Sequence, residues 1–266
     1  MPARDPASDL ALLTDAARAA GTIALRHFGA GPTSWDKGGG QGPVTEADLE
    51  IDAMLRARLT AARPDYGWLS EESAPAPGRL SAPAMFVVDP IDGTRAFIDG
   101  QHGFAHALAV VREGRAVAAV VHLPLMGLTY TAARGAGAWR NGVALGGARR
   151  EGLGGATLLA SRAALAPAHW PGGVPPVTRH FRTSLAWRLA LVGEGAFDAM
   201  LTLRDTWHWD IAAASLIAAE AGACVTDRAG RPLSFDTEDP RSAGVVAAGA
   251  ALHAALLARL RTDRAA

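Results

Sequence analysis

The run Met85-Phe86-Val87-Val88-Asp89-Pro90-Ile91-Asp92-Gly93-Thr94 constrains this chain more than any other stretch. Four apolar residues of buried-strand type lead straight into an aspartate, and Pro90 stiffens the exit. The pattern delivers Asp89 at the C-terminal end of a strand, at the rim of a sheet. Asp92 follows two residues after Pro90 and can turn back toward the same point. Gly93 permits close backbone approach, and Thr94 can open the next helix with its N–H groups facing an anion. A hard divalent cation takes several oxygen ligands, carboxylate or carbonyl, so Asp89, Asp92 and the Ile91 carbonyl form a candidate metal site. Asp-Gly-Thr alone is equally an Asp-capped turn; the six residues together point to a site.

Three more acidic clusters lie along the chain. Asp48 ends Pro43-Val44-Thr45-Glu46-Ala47-Asp48, Glu71 and Glu72 sit in Ser70-Glu71-Glu72-Ser73, and Asp210 sits in Trp209-Asp210-Ile211-Ala212-Ala213. Each has an ordinary structural reading. The helix dipole alone favours an acidic residue in a first turn, which covers Asp48. Adjacent glutamates are usually solvated, and Asp210 serves equally as a cap for the helix after it. Their weight as a site is joint.

Composition narrows the field. With 266 residues, 49% of them hydrophobic, the chain can bury a large core in one or two domains. Charge is balanced, 26 basic against 26 acidic residues, so the totals point to neither a nucleic-acid partner nor an anionic membrane. No apolar run approaches the roughly 20 residues that span a bilayer, and no signal-peptide core follows Met1. Cys224 is the only cysteine, which rules out an intrachain disulfide and thiolate zinc sites and makes a reducing cytoplasm the expected setting. His102 and His106 lack a third nearby ligand and read as packing or surface residues. Lys37 is the only lysine, and it stands in Asp36-Lys37-Gly38-Gly39-Gly40, just before the first acidic cluster.

Periodicity predicts a helix from about Ser8 to Phe28, a loop over Gly29 to Gly42, and a helix capped by Thr45 and ended by Pro64. Ala105 to Val111 and Ala116 to Val121 bracket a hairpin turn, and Gly127 to Ala132 and Ala138 to Arg140 extend the antiparallel pattern. In the second half, strands over Thr157 to Ala160, Phe197 to Leu203, Ala223 to Thr226 and Ala243 to Ala248 alternate with helices over Ser184 to Val192, Trp209 to Ala221 and Ala250 to Leu260. Such alternation favours an α/β layer. A division near Arg149 to Gly155 gives an N-terminal α+β subdomain, 1–150, with most candidate ligands, and a C-terminal α/β subdomain, 151–266, with Asp210.

The four clusters, in this order, resemble the inositol monophosphatase superfamily of magnesium-dependent, lithium-sensitive phosphatases. The likeness covers nearly the whole chain and extends to Glu220-Ala221-Gly222 and Asp227. It implies an α/β fold of layered αβαβα type, shared with the sugar phosphatases, with the metals between the two halves. It further implies two or three Mg²⁺ ions. Glu71, Asp89 and the Ile91 carbonyl would bind the first, and Asp89, Asp92 and Asp210 the second. A third would lean on Glu71 and water. The Asp92, Gly93 and Thr94 backbone would hold the phosphate, Asp48 and the Thr94 hydroxyl would orient the attacking water, and Lys37 would lie on a mobile flap. Glu72 would stand beside the ligands or on the surface. Li⁺ would inhibit. Members often pair as homodimers, although no apolar stripe here marks a dimer face. Some members serve as binding partners in the transcription machinery, a reading that zero net charge and a complete carboxylate set disfavour.

The leaving alcohol is less legible. Seven residues before the last metal aspartate, inositol monophosphatases carry a glutamate that contacts inositol hydroxyls, and here that position is Leu203. Trp35-Asp36-Lys37-Gly38-Gly39 and Arg95-Ala96-Phe97 look closer to the bacterial 3′(2′),5′-bisphosphate nucleotidases, which act on 3′-phosphoadenosine 5′-phosphate. A second phosphate needs a basic contact, for which Arg182, Arg188 and Arg204 are candidates. Inositol 1-phosphate and histidinol phosphate are the alternatives.

Overall fold

The structure is a computed structural model that describes residues 5–29, 31–38, 42–75 and 78–260. Gly39 and Gly40 of the glycine-rich segment lie outside the described residues. Helix α1 (Pro6–His27) starts where the Asp5 carboxylate accepts the Ala7 N–H at 3.0 Å. Leu13, Ala16, Ala17, Ala20 and Ala24 line its buried face. The stretch expected to be loop throughout holds a short strand, β1 (Ser34–Asp36), paired antiparallel with β2 (Pro43–Thr45). Thr45 caps α2 (Glu46–Ala62) in a reciprocal box with Asp48.

The first sheet has seven strands in chain order: β3 (Gly67–Ser70), β4 (Met85–Asp92), β5 (Ala105–Arg112), β6 (Arg115–Leu123), β7 (Leu128–Ala133), β8 (Gly137–Arg140) and β9 (Val143–Ala144). β3 and β4 run parallel, and the later neighbours are antiparallel. β3 has no counterpart in the sequence reading, because four residues are too few to show a period. Helix α3 (Thr94–Ile98) is a short turn between β4 and β5.

The second sheet is built from β10 (Thr157–Leu159), β11 (Thr178–His180), β12 (Ala199–Thr202), β14 (Cys224–Thr226) and β16 (Val245–Ala248), in the order β11-β10-β12-β16-β14. β13 (Thr206–Trp207) pairs with β15 (Arg241–Ser242) beside it. Three helices, α4 (Leu185–Glu194), α5 (His208–Glu220) and α6 (Ala250–Leu257), complete the half.

The strand period sorts the core into layers. Phe86 and Val88 of β4 point to α1 and α2, with Trp68, Leu108, Val110, Ala118 and Val120. Met85 and Val87 point the other way, into a cluster with α4, α5 and Met200, Val245 and Ala247 of the second sheet. On the far face, Leu158, Leu201, Val246 and Ala248 meet Leu252 and Leu256 of α6. The stack is therefore helices, sheet, helices, sheet, helix, the expected αβαβα sandwich. Helix α5 lies between the two sheets, which explains why it is apolar nearly all round. No helix among the described residues is long and apolar enough to cross a membrane.

Candidate active site

β4 ends on the acidic turn. Asp89 and Asp92 are both buried, and Asp92 still pairs with Ala105 of β5. Gly93 caps α3 with φ 101°, a left-handed conformation that a side chain would strain. A Cβ there would also lie 3.4 Å from the Gly103 carbonyl oxygen. Glu71 follows β3, the parallel neighbour of β4, so both strands deliver a carboxylate at the same edge. Asp210 arrives from across the molecule, in the first turn of α5.

These elements bring Glu71, Asp89 and Asp210 together, with one carboxylate oxygen of each within 4.8 Å of the others. Burial raises the Asp89 carboxyl well above its ordinary range, and the Glu71, Asp92, Asp210 and Asp48 charges raise it further. Asp210 is raised in the same way, by burial and then by Asp92 and Glu71. Asp89 Oδ1 is buried with no hydrogen-bond partner among the described residues. An all-oxygen donor set with repelling charges and an unpartnered buried oxygen fits a hard divalent cation such as Mg²⁺.

Asp92 stands beside that triplet. Its Oδ2 accepts the Ser184 hydroxyl and the Ala186 N–H, both at 2.6 Å, at the N-terminus of α4. Burial raises its carboxyl, and these donors restrain the rise. Ser184 also accepts the Trp187 N–H at 2.9 Å, so one hydroxyl caps the helix and holds the aspartate. Nothing in the sequence near Asp92 points to Ser184, although a serine before an apolar helical run is a visible cap signal.

Asp48 is fully buried at the start of α2. Its Oδ2 accepts the Thr45 N–H at 2.8 Å, and its Oδ1 lies 3.4 Å from the Thr94 hydroxyl. Burial pushes its carboxyl up to about 6 against the pull of the Thr45 donors. The Ile91 carbonyl oxygen, at 3.1 Å, is the nearer of the two acceptors open to the single Thr94 hydroxyl proton. Lys37 Nζ donates to Glu71 at 2.8 Å and to Glu72 at 2.7 Å. Burial pulls the ammonium down, but the two glutamates outweigh it and hold it above its ordinary value. Glu72 is itself pushed up to about 7, chiefly by burial; it is half-buried and paired rather than solvated.

A cavity of about 540 Å³ joins Glu71, Asp89, Ile91, Asp92, Gly93, Thr94 and Asp210. Beyond Asp92 and Asp210 a second, of about 450 Å³, is walled by Phe181, Leu185, Arg188, Leu203 and Arg204. Arg188 is buried, stacks on Phe181 at 4.2 Å and donates from Nε to the Arg182 carbonyl at 2.5 Å. The Arg204 guanidinium is exposed, with no hydrogen bond or ion pair among the described residues. Arg182 lines neither cavity; its guanidinium lies over the Trp187 and Phe197 rings. Trp207 and Trp209, stacked at 4.7 Å, close the Lys37 side together with Trp35.

Residues 5–265 match the sequence model of the inositol monophosphatase family. An inositol-1-monophosphatase of Rhizobium meliloti (strain 1021) is 36% identical over 71% of this chain and 74% of its own. A 3′(2′),5′-bisphosphate nucleotidase CysQ of Aggregatibacter actinomycetemcomitans is 29% identical over 74% and 76%. A histidinol-phosphatase of Chlorobaculum parvum is 30% identical over 95% and 96%. Among solved structures, a Thermotoga maritima inositol monophosphatase superposes with a TM-score of 0.80 at 27% identity, over 94% of both chains.

Proposed function

We propose that this chain, which belongs to the inositol monophosphatase family and is a phosphomonoesterase, removes the 3′-phosphate of 3′-phosphoadenosine 5′-phosphate. The family is magnesium-dependent. Glu71, Asp89, Asp92, Asp210 and the Ile91 carbonyl are the residues that would hold two or three Mg²⁺ ions between the halves 1–150 and 151–266. Bound Mg²⁺ supplies neutralisation of the phosphate dianion, a lowered pKa for an attacking water and stabilisation of the leaving alkoxide.

The chain's own groups do the positioning. The backbone of Asp92, Gly93 and Thr94 holds the phosphate at the turn after β4. Asp48 and the Thr94 hydroxyl orient the water, with Asp48 Oδ1 ready to take its proton. Lys37 closes the Glu71 side as part of a flap. The alcohol leaves toward the cavity walled by Leu203 and the two arginines.

The observation that carries the substrate reading is the chemistry of that wall. It presents Leu203 where a polyol phosphatase offers a carboxylate, together with the Phe181 ring and Arg204, whose guanidinium has no hydrogen bond or ion pair among the described residues. An aromatic base fits the apolar surface, and a second phosphate fits the guanidinium. Inositol 1-phosphate is the second reading, supported by the Rhizobium meliloti relative, and histidinol phosphate the third, supported by the Chlorobaculum parvum relative. The test is phosphate release in Mg²⁺, with and without Li⁺, from all three esters and fructose 1,6-bisphosphate. The reading expects 3′-phosphoadenosine 5′-phosphate to lead in kcat/KM and Li⁺ to inhibit. Equal or better turnover of inositol 1-phosphate contradicts it.

A further inference from the structure

We infer that His106 is a positioning residue for the acidic turn, its imidazole supplying the hydrogen bond that β4 loses where it leaves the ladder. The inference rests on the reading of Asp89 and Asp92 as metal ligands.

Asp89 pairs with Ala107 and Asp92 with Ala105, so two residues on β4, Pro90 and Ile91, oppose the single residue His106 on β5. Such a bulge leaves backbone groups without ladder partners. Every residue of β4 is buried, so the Pro90 carbonyl needs a donor from the protein. His106 Nδ1 lies 2.5 Å from that oxygen. A carbonyl oxygen only accepts, so Nδ1 carries the proton and donates.

The side chain is not simply space filling. His106 is fully buried, and its Nε2 has no partner among the described residues. An apolar ring would fill the same volume without leaving a nitrogen unpaired. Packing fixes the imidazole as well. Its ring meets Phe104 edge-on at 6.1 Å, and Phe104 meets Phe97 of α3 at 4.9 Å.

The consequence reaches the ligands through one peptide. With the Pro90 carbonyl tied inward to His106, the turn is held from behind while Ile91 lines the cavity on the other side. Asp89 and Asp92 flank this anchored pair, so their separation depends on it. Groups that orient ligands from behind typically change metal affinity by about 10- to 100-fold.

The test is Mg²⁺ binding by calorimetry, without substrate, on the full chain and three variants. His106→Asn keeps an amide N–H where Nδ1 stands, and affinity within about twofold of the original is expected. His106→Phe keeps the ring and loses the donor, while His106→Gln moves the donor out of reach. Both are expected to weaken Mg²⁺ binding by about tenfold or more. Unchanged affinity in His106→Phe overturns the inference, as does an Asn variant as weak as the Gln variant. If His106→Phe does not fold, the Asn and Gln pair decides alone. An unsubstituted chain that binds no Mg²⁺ overturns the ligand reading itself, and this inference with it.

Discussion

The two walls of the site are built by different means. On the β4 side Asp89, Asp92, Thr94 and Asp48 are buried. Backbone register, two helix starts and the Ser184 hydroxyl fix them. On the far side Arg204 and Phe181 are exposed, and Leu203 and Arg204 lie past the end of β12. Locked, desolvated carboxylates suit the chemistry, because they cost no reorganisation when the phosphate arrives. An exposed residue at a strand end, as Arg204 is, can change without disturbing the core, which suits the choice of alcohol. Relatives of this chain carrying different substrate names fit that division.

The division is testable from its strongest consequence downward. Asp92→Asn lowers kcat by several orders of magnitude on every ester while circular dichroism keeps the fold; near-original turnover breaks the assignment. Ser184→Ala acts on the same wall indirectly. It removes the 2.6 Å bond to Asp92 and the α4 cap together. Thermal unfolding should show a loss of about 1 kcal/mol, and steady-state kinetics a fall in kcat/KM of about 10- to 100-fold.

Arg204→Ala acts where the two cavities meet: Arg204 lines both, and its charge pulls the Asp210 carboxyl down. We expect a loss of roughly tenfold to a hundredfold in kcat/KM for 3′-phosphoadenosine 5′-phosphate, or about 1.4 to 2.7 kcal/mol, and a smaller loss for inositol 1-phosphate. Competition assays on an equimolar mixture read that ratio directly.

The pH dependence of stability separates buried histidines from the carboxylate cluster. Burial holds His106 and His208 down to about 4 from 6.5. Their contribution to stability is therefore complete above pH 6.5 and is lost as pH falls toward 4, because the unfolded chain takes up protons first. At about 1.4 kcal/mol per pKa unit, the buried His106 accounts for roughly 3 kcal/mol at most. The carboxylates act oppositely. Asp48 and Glu72 are raised to about 6 and about 7, so their ionisation costs stability as pH rises through those values. Mg²⁺ offsets that cost by binding the ionised cluster. Melting curves from pH 7 to pH 5 should thus fall more steeply with Mg²⁺ than with chelator. Equal slopes contradict the carboxylate half of the account.

What the sequence disclosed follows the same line. The turn from Asp89 to Thr94 is contiguous, so strand, turn and ligand spacing are visible in ten letters. Thr45 and Asp48 are three residues apart, and their capping box is equally local. The bond from Ser184 to Asp92 crosses 92 residues and is invisible without the fold. So is the placement of His106 opposite Pro90 and Ile91, which reads in sequence as ordinary packing. The three arginines look alike as letters, yet Arg182 stacks on Trp187 and Phe197 while Arg188 and Arg204 face the cavity. Lys37 is conspicuous by composition, but its two glutamate partners appear only when β1 and β3 come together.

One measurement weighs the whole division: kcat/KM for 3′-phosphoadenosine 5′-phosphate and for inositol 1-phosphate in Mg²⁺, on the unsubstituted chain, Asp92→Asn and Arg204→Ala. The account expects Asp92→Asn to depress both substrates by a similar factor and Arg204→Ala to depress the bisphosphate more than the monophosphate. An equal fall in both substrates with Arg204→Ala, or a change in their ratio with Asp92→Asn, contradicts it.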